Sequence, residues 1–371
     1  MSGTPLEQLS ELGQSVWIDY LSRDLLDSGE LERMAREDAV VGVTSNPTIF
    51  QKAMAAGDAY DDQMRAVLER ETDPKEVFLA LAVSDVQRAC DLLRPTWDRA
   101  RPDGGRDGWV SIEVDPNLAA DTDGTLAEAV RLSRAVDRPN VFVKIPATEA
   151  GLPAIEEAIA RGIPINVTLI FSLERHRQVC EAYLRGLERL VDDGGDPAPV
   201  ASVASFFVSR VDTEVDKRLD AKGGHDELKG RVAVANAKLA YRTYKEVFAG
   251  ERWERLRERG ATAQRCLWAS TSTKNPDYRD VLYVEELIGP DTVNTMPEET
   301  IRAFQDHGRV EPTLERDVDA ARALIEQLEE IGISYDDVTD TLEREGVEKF
   351  ADSFRELLDG VARKRDALVT A

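Results

Sequence analysis

Short apolar runs alternate with longer amphipathic stretches along most of this chain, and that alternation constrains its fold most. The runs begin at Val16-Trp-Ile-Asp-Tyr20 and Ala39-Val-Val-Gly-Val43. They continue at Trp109–Asp115, Val141–Ile145, Ile163–Leu169, Val200–Val208, Arg265–Ala269 and Asp291–Met296. The stretches between have helical spacing. They cover 47–101 with breaks at Gly57 and Asp73-Pro74, then 125–136, 149–160 and 173–191. Two helices are expected between Asp212 and Ala249, parted by Gly223-Gly224, with short ones near 252–259 and before the eighth run. Residues 297–368 read as helical, and 101–108 as a Gly/Asp-rich loop. Strands followed by helices imply parallel βαβ units. Eight of them in 371 residues point to an α/β fold, a (β/α)8 TIM barrel. The expected organisation is a single barrel domain over 1–371, with extra helices at about 57–100 and 297–371. An open doubly wound sheet is the alternative, but no GxGxxG or Walker pattern follows any strand.

Sorted by the two-residue period of a strand, most runs have one all-apolar face and one partly polar face. Val110, Ile112 and Val114 oppose Ser111, Glu113 and Asp115, and Ile165, Val167 and Leu169 oppose Asn166 and Thr168. Val16 and Ile18 oppose Trp17 and Asp19, while Ser205 and Phe207 share a face. Helices cover the apolar faces of a barrel, so the polar faces point inward. Catalytic groups of such barrels stand at strand C-termini, where Asp19, Glu113, Lys144, Asn166, Thr168 and Ser205 fall.

Lys144 is the centre of this set. It sits in Asn140-Val-Phe-Val-Lys-Ile-Pro146, a run that reads as a buried strand. Lysine is almost never buried without a partner or a task. An apolar setting disfavours an ammonium and favours the neutral amine that attacks carbonyls to form Schiff bases. The bland alternative is a lysine at the end of an edge strand, reaching solvent. The surrounding residue types suit carbonyl chemistry. Asp19 and Glu113 can move protons, and Asn166 and Thr168 can hold substrate oxygens or a water. Arg210, after the sixth run, and Lys274, after the seventh, can supply cations for a phosphate, or can be ordinary loop cations.

Composition narrows the partners. Net charge is −24, from 71 acidic and 47 basic residues, which disfavours nucleic acid and anionic membranes. The three cysteines, Cys90, Cys180 and Cys266, show no CxxC spacing, and the three histidines form no HExxH. Neither a disulfide framework nor a metal site is expected. A metal-dependent aldolase would need a richer histidine set. No secretory signal or membrane-spanning run is read at the sequence level, so a reducing, cytoplasmic setting is expected.

Five ordered motifs resemble those of the transaldolase family, specifically its longer, actinobacterial-type members. They are Thr44-Ser-Asn-Pro47, Ser111-Ile-Glu-Val-Asp115, Val141-Phe-Val-Lys-Ile-Pro146, Ile165-Asn-Val-Thr-Leu-Ile-Phe-Ser172 and Ser205-Phe-Phe-Val-Ser-Arg210. The resemblance implies a class I aldolase-type barrel without cofactor or metal. Such an enzyme moves a dihydroxyacetone unit between sugar phosphates, in the non-oxidative pentose phosphate pathway, through a Schiff base on Lys144. It implies Glu113, Asp19 and Thr168 as catalytic partners. Thr44, Asn46, Asn166, Ser205, Phe207 and Arg210 are implied as substrate-binding residues. Shorter members carry an arginine in an A-S-F-R setting after the seventh strand. Here the segment is Ala269-Ser-Thr-Ser-Thr-Lys274, and Lys274 is the expected substitute. A stand-alone Schiff-base aldolase, such as a fructose-6-phosphate aldolase, would share the lysine chemistry, and a non-catalytic scaffold barrel would share only the fold. The expected partners are small sugar phosphates, and both a homodimer and a monomer remain open.

Overall fold

The structure is a computed structural model describing residues 3–55, 57–100 and 105–370, and the Thr370 side chain is not described. Residues 1–2, 56, 101–104 and 371 of the expected domain lie outside the described residues, so the expected loop 101–108 is seen only from Gly105.

Eight parallel strands close into a barrel in sequence order. They are β1 (Gln14–Ile18), β2 (Val40–Val43), β3 (Trp109–Glu113), β4 (Val141–Pro146), β5 (Ile165–Ile170), β6 (Ser202–Phe207), β7 (Arg265–Ala269) and β8 (Thr292–Met296). Pairing of β1 with β8, Gln14 opposite Thr292 and Ile18 opposite Met296, closes the circle. The (β/α)8 expectation holds, and the open-sheet alternative falls with that pairing. β1 begins and ends two residues earlier than its apolar run, so Asp19 stands just beyond the strand.

Helix starts follow their cap chemistry. Asp73 accepts the Lys75 and Glu76 amides before the helix Pro74–Ala100, where Pro74 opens the first turn. A further helix, Pro5–Glu11, precedes β1 and was not expected. Thr4 and Glu7 form a reciprocal capping box there. The 297–368 segment divides into Glu298–His307, Val318–Glu330 and a long C-terminal helix, Tyr335–Thr370.

Inward-facing aromatic side chains fill the lower barrel. Trp109 stacks on Phe142 with centroids 4.1 Å apart, and Trp17 lies 6.1 Å from Phe142. Gly42 makes room for them, because a Cβ there would meet the Trp17 ring at 2.5 Å. Below, Arg265 donates to Ser15 Oγ at 2.8 Å. This aromatic layer stands below the C-terminal end of the barrel, where such folds carry their chemistry. The C-terminal helix crosses that end. Arg218 pairs with Asp337 and Lys364 with Asp61, and Phe354 packs edge-on against Phe78.

Candidate active site

The period-2 pattern predicts which residues face inward, and strand pairing puts Lys144 of β4 beside Glu113 of β3 and Asn166 of β5. The Lys144 ammonium donates to Glu113 Oε2 at 3.0 Å and to the Ser45 carbonyl at 3.0 Å. Both charged side chains are nearly inaccessible, at 6% and 5%. The setting is therefore not the purely apolar one read from the strand. Burial pushes the Glu113 carboxyl above its usual range, Lys144 opposes that, and Asp19 adds to it. A carboxylate with raised proton affinity in contact with an amine is well placed to exchange a proton with it.

On the other side, Thr44 donates to Asp19 Oδ1 at 2.8 Å, fixing the carboxylate at the mouth. Ser45 Oγ donates to the Ser111 carbonyl, locking the loop after β2 to β3. Asn46 Oδ1 accepts the Ile49 amide at the start of the helix Pro47–Ala55, and its amide NH2 makes no hydrogen bond among the described residues. Thr168 Oγ1 is buried and has no hydrogen-bond partner among the described residues. β5 ends irregularly just there. The register with β6 shifts between Val167 and Ile170, and Leu169 takes a left-handed φ of 58°. A β-branchless but bulky residue in that conformation is uncommon away from functional sites.

Asp19, Thr44, Asn46, Lys144, Thr168, Ser205, Phe207, Arg210 and Lys274 all line one cavity of about 410 Å³. Glu113 reaches it through Lys144. Asn166 stands beneath it, fully buried, donating to Ser111 Oγ at 3.1 Å and accepting from Ser205 Oγ at 2.7 Å. Its side chain is thus engaged by two protein hydroxyls.

Arg210 lies over the Phe207 ring at 4.9 Å and near Phe350 at 5.9 Å. Burial pushes its guanidinium below the usual arginine range, while Asp19 opposes this. Lys274 folds back to donate to Ser272 Oγ at 2.7 Å. Sequence reasoning missed Lys52, Lys349 and Phe350 on the cavity wall. Nothing in strand periodicity marks them, since they come from helices. No His/Cys/Asp/Glu group among the described residues is arranged to hold a metal. Cys180 and Cys266, distant in sequence, meet at His176 Nε2 (3.9 and 3.8 Å), but that cluster is sealed in the core.

A closed parallel barrel with a buried lysine paired to a carboxylate at its catalytic end is a (β/α)8 barrel of the class I aldolase type. The comparisons agree. Residues 16–361 match the family model described as Transaldolase/Fructose-6-phosphate aldolase. The chain is 55% identical to a transaldolase of Acidothermus cellulolyticus over 97% of this chain and 96% of that protein. It is 52% identical to one from Thermobifida fusca and 53% to one from Mycobacterium ulcerans, each alignment covering 98% of both chains. The chain belongs to the transaldolase/fructose-6-phosphate aldolase family.

Proposed function

We propose that this chain is a transaldolase of the non-oxidative pentose phosphate pathway. It transfers a dihydroxyacetone unit from sedoheptulose 7-phosphate to glyceraldehyde 3-phosphate, giving erythrose 4-phosphate and fructose 6-phosphate. The observation that carries this reading is the Lys144–Glu113 contact at 3.0 Å within the barrel mouth.

Glu113 takes a proton from the Lys144 ammonium, and the freed amine adds to the ketose carbonyl to give a carbinolamine. Loss of water, with a proton returned from Glu113, leaves an iminium on Lys144. Asp19 takes the C4 hydroxyl proton as the C3–C4 bond breaks, and the bonding electrons flow into the iminium to form an enamine. The aldose phosphate departs with its new aldehyde. The enamine then attacks the second aldose phosphate, Asp19 returns the proton, and hydrolysis with water held by Thr168 frees the product. Asn46, Ser205 and Thr44 hold hydroxyls, Asn166 supports Ser205, and Phe207 borders the substrate. Arg210 and Lys274 bind phosphate. The reaction needs no cofactor or metal. The helices at 57–100 and 297–371 belong to the single barrel domain, which works in the cytoplasm as a monomer or homodimer, without nucleic-acid or membrane partners. Among the described residues, no helix is long and apolar enough to cross a membrane.

Borohydride trapping with fructose 6-phosphate, followed by peptide mass analysis, tests the mechanism. The expected result is a three-carbon adduct on Lys144, absent in Lys144→Met. No adduct on folded protein removes the Schiff base. Omitting the acceptor aldose distinguishes transfer from aldol cleavage, because an aldolase would release free dihydroxyacetone steadily.

A further inference from the structure

Besides Lys144, four cations line the cavity: Lys52, Arg210, Lys274 and Lys349. Two carboxylates line it with them, Asp19 and Glu299. Among the described residues, none of these four cations forms an ion pair with a carboxylate. In a chain of net charge −24, an unpaired cluster of this kind needs an explanation.

Lys349 is the unexpected member. It belongs to the C-terminal helix, far from every strand-end motif. Gly346, Phe350 and Ser353 are spaced by four and three residues and share the helix face turned to the site. Gly346 permits close approach, since a Cβ there would stand 3.1 Å from Leu169 Cδ2 and 3.7 Å from Arg210 Nη1. Phe350 flanks the Arg210 guanidinium, and Thr48 donates to Ser353 Oγ at 2.8 Å. The helix is therefore fastened so that Lys349 joins Arg210 in the cavity wall.

We propose that Lys349 grips the substrate phosphate together with Arg210, Lys274 and Lys52, making the C-terminal helix a specificity element for phosphorylated sugars. The proposal rests on the sugar-phosphate reading above. A lysine and a planar arginine are complementary here, one a mobile point charge and the other a fork. With the segment after β7 lacking an arginine, cations from two helices supply the missing charge. Arg210, partial burial, Lys274 and Lys52 together push the Lys349 ammonium below the usual lysine range. Like charges so crowded repel one another in the empty site, and a phosphate dianion relieves that repulsion.

The test uses the full chain and two measurements: KM for fructose 6-phosphate with erythrose 4-phosphate as acceptor, and Kd for inorganic phosphate by calorimetry. Lys349→Met is expected to raise both by about ten-fold or more, the loss of one contact to a charged group. kcat falls by less than KM rises. Lys349→Arg restores both to within about three-fold, because charge rather than shape is needed. Lys364→Met, which removes the half-buried Asp61 pairing farther along the same helix, leaves both within about two-fold, since Lys364 is not among the residues lining the cavity. A Lys349→Met protein with KM and Kd within about two-fold of wild type overturns the proposal. Equal effects of Lys349→Met and Lys364→Met overturn it too, since that pattern reports a loosened helix. Should the wild type neither trap an adduct nor transfer the three-carbon unit, the transaldolase reading fails by itself. Phosphate binding then decides the Lys349 proposal alone.

Discussion

Replacing Asp212 with Asn should make the protein more stable at alkaline pH while leaving it nearly unchanged in acid. Asp212 lies two residues beyond Arg210 on the helix Ser209–Lys222 and is 1% exposed. One carboxylate oxygen accepts the Ala233 amide at 2.7 Å, and the other accepts the Tyr283 hydroxyl at 2.9 Å. Burial pushes the carboxyl up from 3.8 to about 7, although the Ala233 amide and Tyr283 favour the charged form. The sign follows from proton binding. Between pH 3.8 and about 7 the unfolded chain has released this proton while the folded chain keeps it. The folded state therefore loses stability as pH rises through that window, by up to about 4 kcal/mol once both states are ionised. An asparagine keeps the Ala233 contact through its oxygen and offers its NH2 to Tyr283, without an ionisation to suppress. Urea unfolding by tryptophan fluorescence at pH 4 and pH 8, checked for reversibility, measures the difference. Glu113 and Asp85 are also raised by burial but are not among the groups acting on Asp212, so they cancel in the comparison, whereas Asp216, whose charge adds to the rise at Asp212, is part of the effect measured. The variant should gain roughly 2–4 kcal/mol on wild type between the two pH values. A variant less stable than wild type at pH 8 would refute the reasoning, since the ionised carboxylate would then be stabilising. Tyr283 and Tyr278, the latter bonded to Asp216 at 2.5 Å, tie the segment after Lys274 to the helix that carries Arg210.

Two substitutions probe the chemistry directly. Glu113→Gln removes the proton acceptor beside Lys144 but keeps its shape. Stopped-flow and steady-state assays should show kcat lower by about 10²–10⁴ with a smaller change in KM. Thr168→Val removes a buried hydroxyl that lacks a partner among the described residues. It should leave stability unchanged or raise it by about 1 kcal/mol in denaturant titration, while kcat falls with the loss of the positioned water.

Strand-end chemistry was legible because the period of two is geometric. Once Lys144 is placed on a strand, Glu113 one strand over and Asn166 on the other side must fall at the same height, and the register bears this out. Local order at Pro5–Glu11 is equally legible, since Thr4, Pro5 and Glu7 together spell a helix start even though no strand-like apolar run marks the segment. Taken alone, the strand of Lys144 predicts apolar surroundings. Its partners come from β3 and from a backbone carbonyl that leaves no trace in side-chain pattern.

Lys52 and Lys349 mark where such reading stops. A helical lysine has the same spacing signature whether it faces water or an active site, and only docking distinguishes the two. For the C-terminal helix that docking depends on contacts such as Ser353 with Thr48 and Tyr335 with Asn236, between residues hundreds or about a hundred positions apart. The β-strands declare their chemistry because a barrel has two faces and a fixed sense. A helix laid across the mouth has a free rotation and tilt until tertiary packing sets them. Gly346 is the residue that shows why this helix can lie so low, because a side chain there would press on Leu169, the strained residue near the end of β5. The helix that carries Lys349 and the bulge that presents Thr168 are thus in direct contact, and a change in either would be felt at the phosphate end and the lysine end of the same cavity.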